Sequence, residues 1–318
     1  MKRNKIICCI LWISLVFLCA LILYGVAESM AEQTYELRNI VISEEFDGIS
    51  VTTKAADVMI LRSENDEMRV ECREQKNIRH TVSVEDHTLT INAEDTRKWW
   101  ERMDFTTDVS RVTIYLPYKE HGALDIQSST GNIEIEKDFL FEKISASTGT
   151  GDIKCYASVE QELVLTGATG RMLVEDLSAE SIELSISIGH MSVSSVVCRE
   201  TLKVTSSEGD IEVTDVLCTR FRSFGASGNL YMENVISVRS TSINRGAGNI
   251  ELNGCDASGL YVQTSSGNVT GRLLSEKIFT VDTKSGKKDV PSSMTGGECN
   301  ITTDTGDVQI TISQNAAE

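Results

Sequence analysis

The chain has 318 residues, 41% of them hydrophobic, and a formal net charge of −17. That length allows one large core or two domains. The charge disfavours nucleic acid and anionic lipid surfaces as partners and suits a solvated acidic exterior.

Lys2, Arg3 and Lys5 precede an uncharged run from Ile6 to about Val26. Roughly 20 apolar residues span a bilayer as a helix, so residues 1–27 read as a cytoplasmic basic stub and a transmembrane signal anchor. Basic residues before the run, and Glu28, Glu32 and Glu36 after it, put the rest of the chain outside the cell membrane. Ser29-Met30-Ala31 leaves a second reading open, in which the segment is a cleaved signal and the protein is secreted. Residues 28–44 form a linker and a first strand.

Residues 45–120 are strand-like, with alternation at Ile49/Val51/Thr53, Met68/Val70/Cys72, Leu89/Ile91 and Val112/Ile114/Leu116. Turns are expected at Asn65-Asp66 and Asp86-His87. Ala55-Ala56-Asp57-Val58 matches a motif that recurs later, with Ala56 in a slot otherwise held by glycine. Asp95 to Phe105 breaks the strand pattern. Trp99 and Trp100 stand there among cationic side chains, as a candidate partner contact or as caps on the end of the core.

From 121 to 312 the chain repeats. Gly131, Gly151, Gly170, Gly189, Gly209, Gly228, Gly248, Gly267, Gly286 and Gly306 follow one another at steps of 19 or 20 residues. Such a period marks stacked repeats. Apolar residues usually stand seven and five before the glycine, as in Leu202/Val204, and two and four after it, as in Ile211/Val213. Asn or Asp follows the glycine in seven of the ten. Each repeat therefore reads as strand, glycine corner, strand and second corner, with one face inward. About five inward apolar side chains per repeat, worth roughly 1.5–3 kcal/mol each, do not offset about 1.5 kcal/mol for every ordered residue. The repeats must stack. The expected fold is all-β, a two-sheet solenoid of parallel rungs about 4.8 Å apart, with residues 313–318 as a tail. Asn229, Asn249 and Asn268 occupy one slot in successive repeats and are expected to form a side-chain amide ladder.

Cys8, Cys9 and Cys19 fall in the membrane segment, while Cys72, Cys155, Cys255 and Cys299 take the places of buried hydrophobes. Cys198 and Cys218 should be rung neighbours, as two free thiols or as a disulfide. Neither the cysteines nor the four histidines show metal-ligand spacing, and no metal site is expected. The corners lack the roughly nine-residue GGxGxDxUx period of calcium-binding β-rolls. No corner precedes a helix, as a phosphate loop would require, so no cofactor is expected.

Val112-Thr113-Ile114-Tyr115-Leu116-Pro117, followed by Leu124-Asp125-Ile126-Gln127-Ser128-Ser129-Thr130-Gly131-Asn132-Ile133-Glu134-Ile135, resembles the bacterial putative-adhesin family, also called toastrack. The resemblance covers about residues 45–312. It implies an extracytoplasmic β-repeat domain, often membrane-tethered and linked in some bacteria to envelope stress systems. It transfers no catalytic residue. Lys287-Lys288, His190 and Arg171 depart from the pattern next to their glycines.

Three functions follow. A non-enzymatic binding or scaffold module fits the anchor and the long repetitive surface, with a cell-envelope protein or glycan as partner. A carbohydrate-active enzyme would need converging carboxylates, yet the acidic residues sit on scattered outward positions, so no catalytic residue is expected. A plain spacer is the third, and an exposed apolar patch would argue against it.

Overall fold

The structure, a computed structural model, describes residues 35–75, 78–95 and 110–313. The expected transmembrane segment, together with Trp99 and Trp100, lies outside the described residues. The first part contains β1 (Tyr35–Val41), β2 (Gly48–Arg62), β3 (Arg69–Gln75), β4 (Ile78–Glu85), β5 (Thr88–Asp95) and β6 (Ser110–Leu116). The repeats begin with β7 (Glu120–Thr130), β8 (Ile133–Ile135), β9 (Leu140–Thr150), β10 (Ile153–Cys155), β11 (Ser158–Ala179) and β12 (Ser181–Glu208). They continue as β13 (Ile211–Ser227), β14 (Leu230–Ala247), β15 (Ile250–Ser266) and β16 (Val269–Leu273). The chain closes with β17 (Lys277–Ser285), β18 (Lys288–Asp289), β19 (Gly297–Thr305) and β20 (Val308–Ile312).

Neighbouring repeats pair in parallel, as in β12 with β13, where Met191 faces Ile211 and Leu202 faces Phe221. Burial changes parity three times in each rung. Around Gly209 the buried residues are Leu202, Val204 and Ser206, then Ile211 and Val213, then Val216 and Cys218. A strand keeps one parity per face. Each rung therefore has three inward segments around one core, and not the two sheets expected from the sequence.

Each parity change has a local cause. The first is the glycine. Gly228 has φ +111°, and a Cβ there would overlap the Gly209 carbonyl oxygen one rung below. Nine of the ten glycines share the left-handed region, and Gly286 is the exception. The second falls six residues after the glycine. Asp176, Ser195, Asp215, Asn234 and Gly254 stand there with φ between 53° and 63°, where Asx residues and glycine are best tolerated. The third is a register shift, between Cys198 and Thr201 or between Cys218 and Arg220. That bulge absorbs the alternation between 19- and 20-residue repeats.

The Asn/Asp slot does form a ladder, but of a different kind. Asn249 N–H donates to Asn229 Oδ1 at 3.0 Å, Asn268 N–H to Asn249 Oδ1 at 3.0 Å, and Asp307 N–H to Asn268 Oδ1 at 2.9 Å. Asp57, Asn132 and Asp152 accept in the same way lower in the stack. A side-chain oxygen is the only requirement, so Asp serves as well as Asn. Arg171 receives no successor, because it carries no acceptor.

The stacking order departs from the sequence at both ends. Strands β19 and β20 insert between β15/β16 and β17/β18, so the last repeat lies inside the penultimate one. Lys288 accounts for this. It holds the position where Ile211 or Val308 is buried, and an interior rung would have to bury its ammonium. Lys287 therefore ends the Asx ladder by donating to Asp307 Oδ1 at 2.8 Å. At the other end β2 is a true rung, with Ala56 fully buried in the glycine slot and parallel pairs to β7 and β8. Its outer side carries β5 and β6 in parallel. Antiparallel strands then close the end, β4 on β5, and β3 on β6 with β1 beyond it.

Candidate functional site

The repeat core is filled by apolar columns, with one polar seam. Three residues before the glycines stand Ser128, Thr148, Ser206 and Thr264, all buried. Their hydroxyls turn to corner carbonyls, as when Thr148 Oγ1 donates to Gly131 O at 3.0 Å. Arg245 occupies this seam too, 1% exposed, donating from Nε to Gly228 O at 3.1 Å and from Nη2 to Gly209 O at 3.4 Å. Space for its guanidinium exists because Gly225 lies beneath it, where a Cβ would come within 2.7 Å of Cζ. Burial lowers the Arg245 pKa and the Asp210 charge partly offsets that.

Binding chemistry is thus left to the outer surface and the end. One recess of about 670 Å³ opens beside Tyr118, Phe139, Tyr156, Asp138, Asp176 and Lys137. Tyr118 is 66% exposed, and the Arg62 guanidinium lies 5.1 Å from its ring centroid. An exposed ring beside carboxylates and lysines can stack on and hydrogen-bond an extended ligand. A second recess of about 560 Å³ is lined by Ile236, Val238, Asp256, Ser275 and Lys277. The buried Lys277 ammonium donates to Asp256 Oδ1 and Ser275 Oγ, each at 2.5 Å, and Ser275 donates to Asp256 at 2.7 Å. Burial pushes the Asp256 carboxyl up, but the bonds from Lys277 and Ser275 outweigh it and leave the pKa below its usual value. A serine nucleophile needs its neighbour to accept a proton, whereas here the lysine donates to the serine.

Next to this recess runs an apolar ridge. Val197 faces Leu217 in the adjacent rung and Leu217 faces Ile236 in the next. Val197 is 47% exposed, Leu217 48% and Val238 60%.

The cap end holds a buried polar cluster. Cys72 and Glu74 share one face of β3, two residues apart, and His80 reaches them from β4. They are 0%, 2% and 0% exposed, and their Sγ, carboxylate and ring nitrogen atoms all lie within 4.8 Å of one another. His80 Nδ1 is 3.1 Å from Glu74 Oε1, and the His80 backbone N–H donates to that same oxygen at 2.6 Å. Thr53 Oγ1 holds Nε2 at 3.1 Å. Arg38 from β1 bonds the His80 carbonyl and stands 3.7 Å from Glu74. Burial lowers the His80 pKa. Burial, reinforced by the Glu74 charge, raises the Cys72 thiol to about 11.

The sequence led to no metal site, and this cluster is what that reading missed. The available signal was Cys72-x-Glu74, which puts two ligand types on one strand face, with His80 following six residues after Glu74. Cys198 and Cys218 are indeed rung neighbours, but both are free thiols bonded elsewhere, Cys198 to Glu180 O and Cys218 to Ser237 Oγ, each at 3.4 Å.

The family model described as Toastrack DUF4097 matches residues 46–220. No curated protein matches the chain. Among solved structures, a putative lipid binding protein from Parabacteroides distasonis shares 16% identity at a TM-score of 0.48, covering 89% of this chain and 98% of that one. A putative adhesin from Parabacteroides merdae shares 13% at 0.45, covering 89% and 98%. Another from Bacteroides fragilis shares 12% at 0.40, covering 87% and 97%.

Proposed function

The chain belongs to the toastrack family, and from that premise we propose that it is a membrane-anchored, extracytoplasmic binding or scaffold module that carries out no catalysis. Residues 1–27 supply the anchor and orientation, through an apolar run long enough to span a bilayer with basic residues on its cytoplasmic side. The family's link to envelope stress supports a sensing role at the bacterial surface.

The observation that carries binding over a plain spacer is the ridge of Val197, Leu217 and Val238. It leaves apolar side chains in water on neighbouring rungs, beside the recess of Asp256 and Lys277. Contiguous exposed apolar surface marks an interaction site. A protein partner fits it better than a glycan, since aliphatic side chains without an aromatic ring offer a sugar little to stack on.

A photo-crosslinker placed at Leu217 in living cells should yield one discrete adduct that disappears with Val197→Lys. The same probe at Lys154, on another part of the rod, should yield none. Adducts of equal intensity at both positions would defeat the reading. Protease added to intact cells should digest the repeats, and full protection would reverse the topology.

A further inference from the structure

We propose that Cys72, Glu74 and His80 form a three-ligand site for a borderline divalent transition ion, with zinc(II) as the reference case. The donor set is one thiolate, one carboxylate and one imidazole, a mixture that zinc accepts and that calcium and magnesium do not favour. All three groups are buried and already converge, with ligand atoms within 4.8 Å of one another. Their distance from a common centre needs only small rotations. Thr53 supplies the supporting contact, holding His80 Nε2 so that Nδ1 is directed at Glu74 and the cluster centre.

Charge decides whether a cation can enter. Without metal, the Glu74 carboxylate is balanced by Arg38, 3.7 Å away. With a divalent ion, thiolate and carboxylate supply two negative charges and Arg38 becomes surplus. Its side chain is 38% exposed, and its Nε has no hydrogen-bond partner. Arg38 can then swing into water as the ion binds, giving up its bond to the His80 carbonyl. Binding displaces the Cys72 thiol proton to solvent as the sulfur–metal bond forms.

The test uses cobalt(II) as a spectroscopic probe, on the full-length chain in detergent under a phosphine reductant. One equivalent should produce a thiolate-to-cobalt charge-transfer band, displaced by zinc(II). Cys72→Ser should abolish the band. Arg38→Met leaves all three ligands in place and should tighten binding by about tenfold, as removal of a neighbouring positive charge predicts. If Cys72→Ser fails to fold, the Arg38→Met titration still decides. No band with the wild-type chain would overturn the site, as would a band that survives Cys72→Ser or an affinity unchanged by Arg38→Met. None of these results depends on a protein partner.

Discussion

The repeat region and its N-terminal cap solve the same problem differently. In the repeats, buried polarity is mostly short hydroxyls and corner backbone reproduced rung after rung, with His121, Arg245 and Lys277 as single exceptions. In the cap, β1 and β3–β6 bury a glutamate, a histidine and a cysteine in contact, each present once. A repeated position tolerates only what every neighbouring rung can accept, which favours neutral groups. The cap strands are not repeated and carry no such constraint. Specific chemistry therefore collects at the end of the stack, where translation stops.

The largest effect should come from breaking the repeat. Gly228→Val places a β-branched residue at φ +111° and drives its Cβ into the Gly209 carbonyl. A loss of about 4 kcal/mol or more is expected, read as a fall in midpoint in chemical denaturation. An unchanged midpoint would remove the glycine column as the basis of the stack. Gly225→Ser comes next. Its new side chain meets the Arg245 guanidinium, which has no other space, and should cost about 2–3 kcal/mol. Adding Arg245→Thr restores the hydroxyl seam seen at Thr148 and Thr264, so the double variant should be more stable than Gly225→Ser alone. Additive losses would mean that the two positions do not share one volume.

Much of the repeat region was legible before the structure, because translation writes each contact ten times over. The glycines, the apolar columns and the Ala56 rung all stand in register. The third face was not read, since Asp176, Ser195, Asp215, Asn234 and Gly254 share a conformation rather than a residue type. The inverted order of the last two repeats was foreshadowed by Lys287-Lys288, but only the energetics of burying Lys288 turn that departure into an end position. The cap cluster was the least visible. It depends on β1 pairing with β3 and on β4, paired with β5, bringing His80 beside β3, and spacing along the chain says little about it.

Acid should separate the cap and the first rung after it from the later repeats. Burial lowers the pKa of His80 in the cap and of His121 in the first rung after it. An unfolded histidine titrates near about 6.5, so below that pH the unfolded chain takes up protons that the folded chain refuses. Stability contributed by these neutral histidines is therefore full above about pH 6.5 and falls as pH drops toward their folded values, by at most about 1.4 kcal/mol per pH unit for each. Hydrogen exchange at pH 5 should open β4 and β7 before β13 and β14. Uniform loss of protection would mean that the cap is no weaker than the repeats.

The smallest effect tests whether interior rungs are equivalent to the last. Asn249 accepts the N–H of Asn268 through Oδ1, and its own N–H is taken by Asn229. Asn249→Ala removes one acceptor and leaves the Asn268 N–H to solvent, a loss of about 1 kcal/mol. Lys287 stands in the same slot on the outermost rung and uses only its backbone N–H. Lys287→Ala should then change stability by less than about 0.5 kcal/mol. Lys287→Asn should gain nothing, because no further rung waits to donate to it. A gain from Lys287→Asn as large as the loss from Asn249→Ala would show that the side chain acts within its own corner, and that the ladder is a consequence of stacking and not a cause.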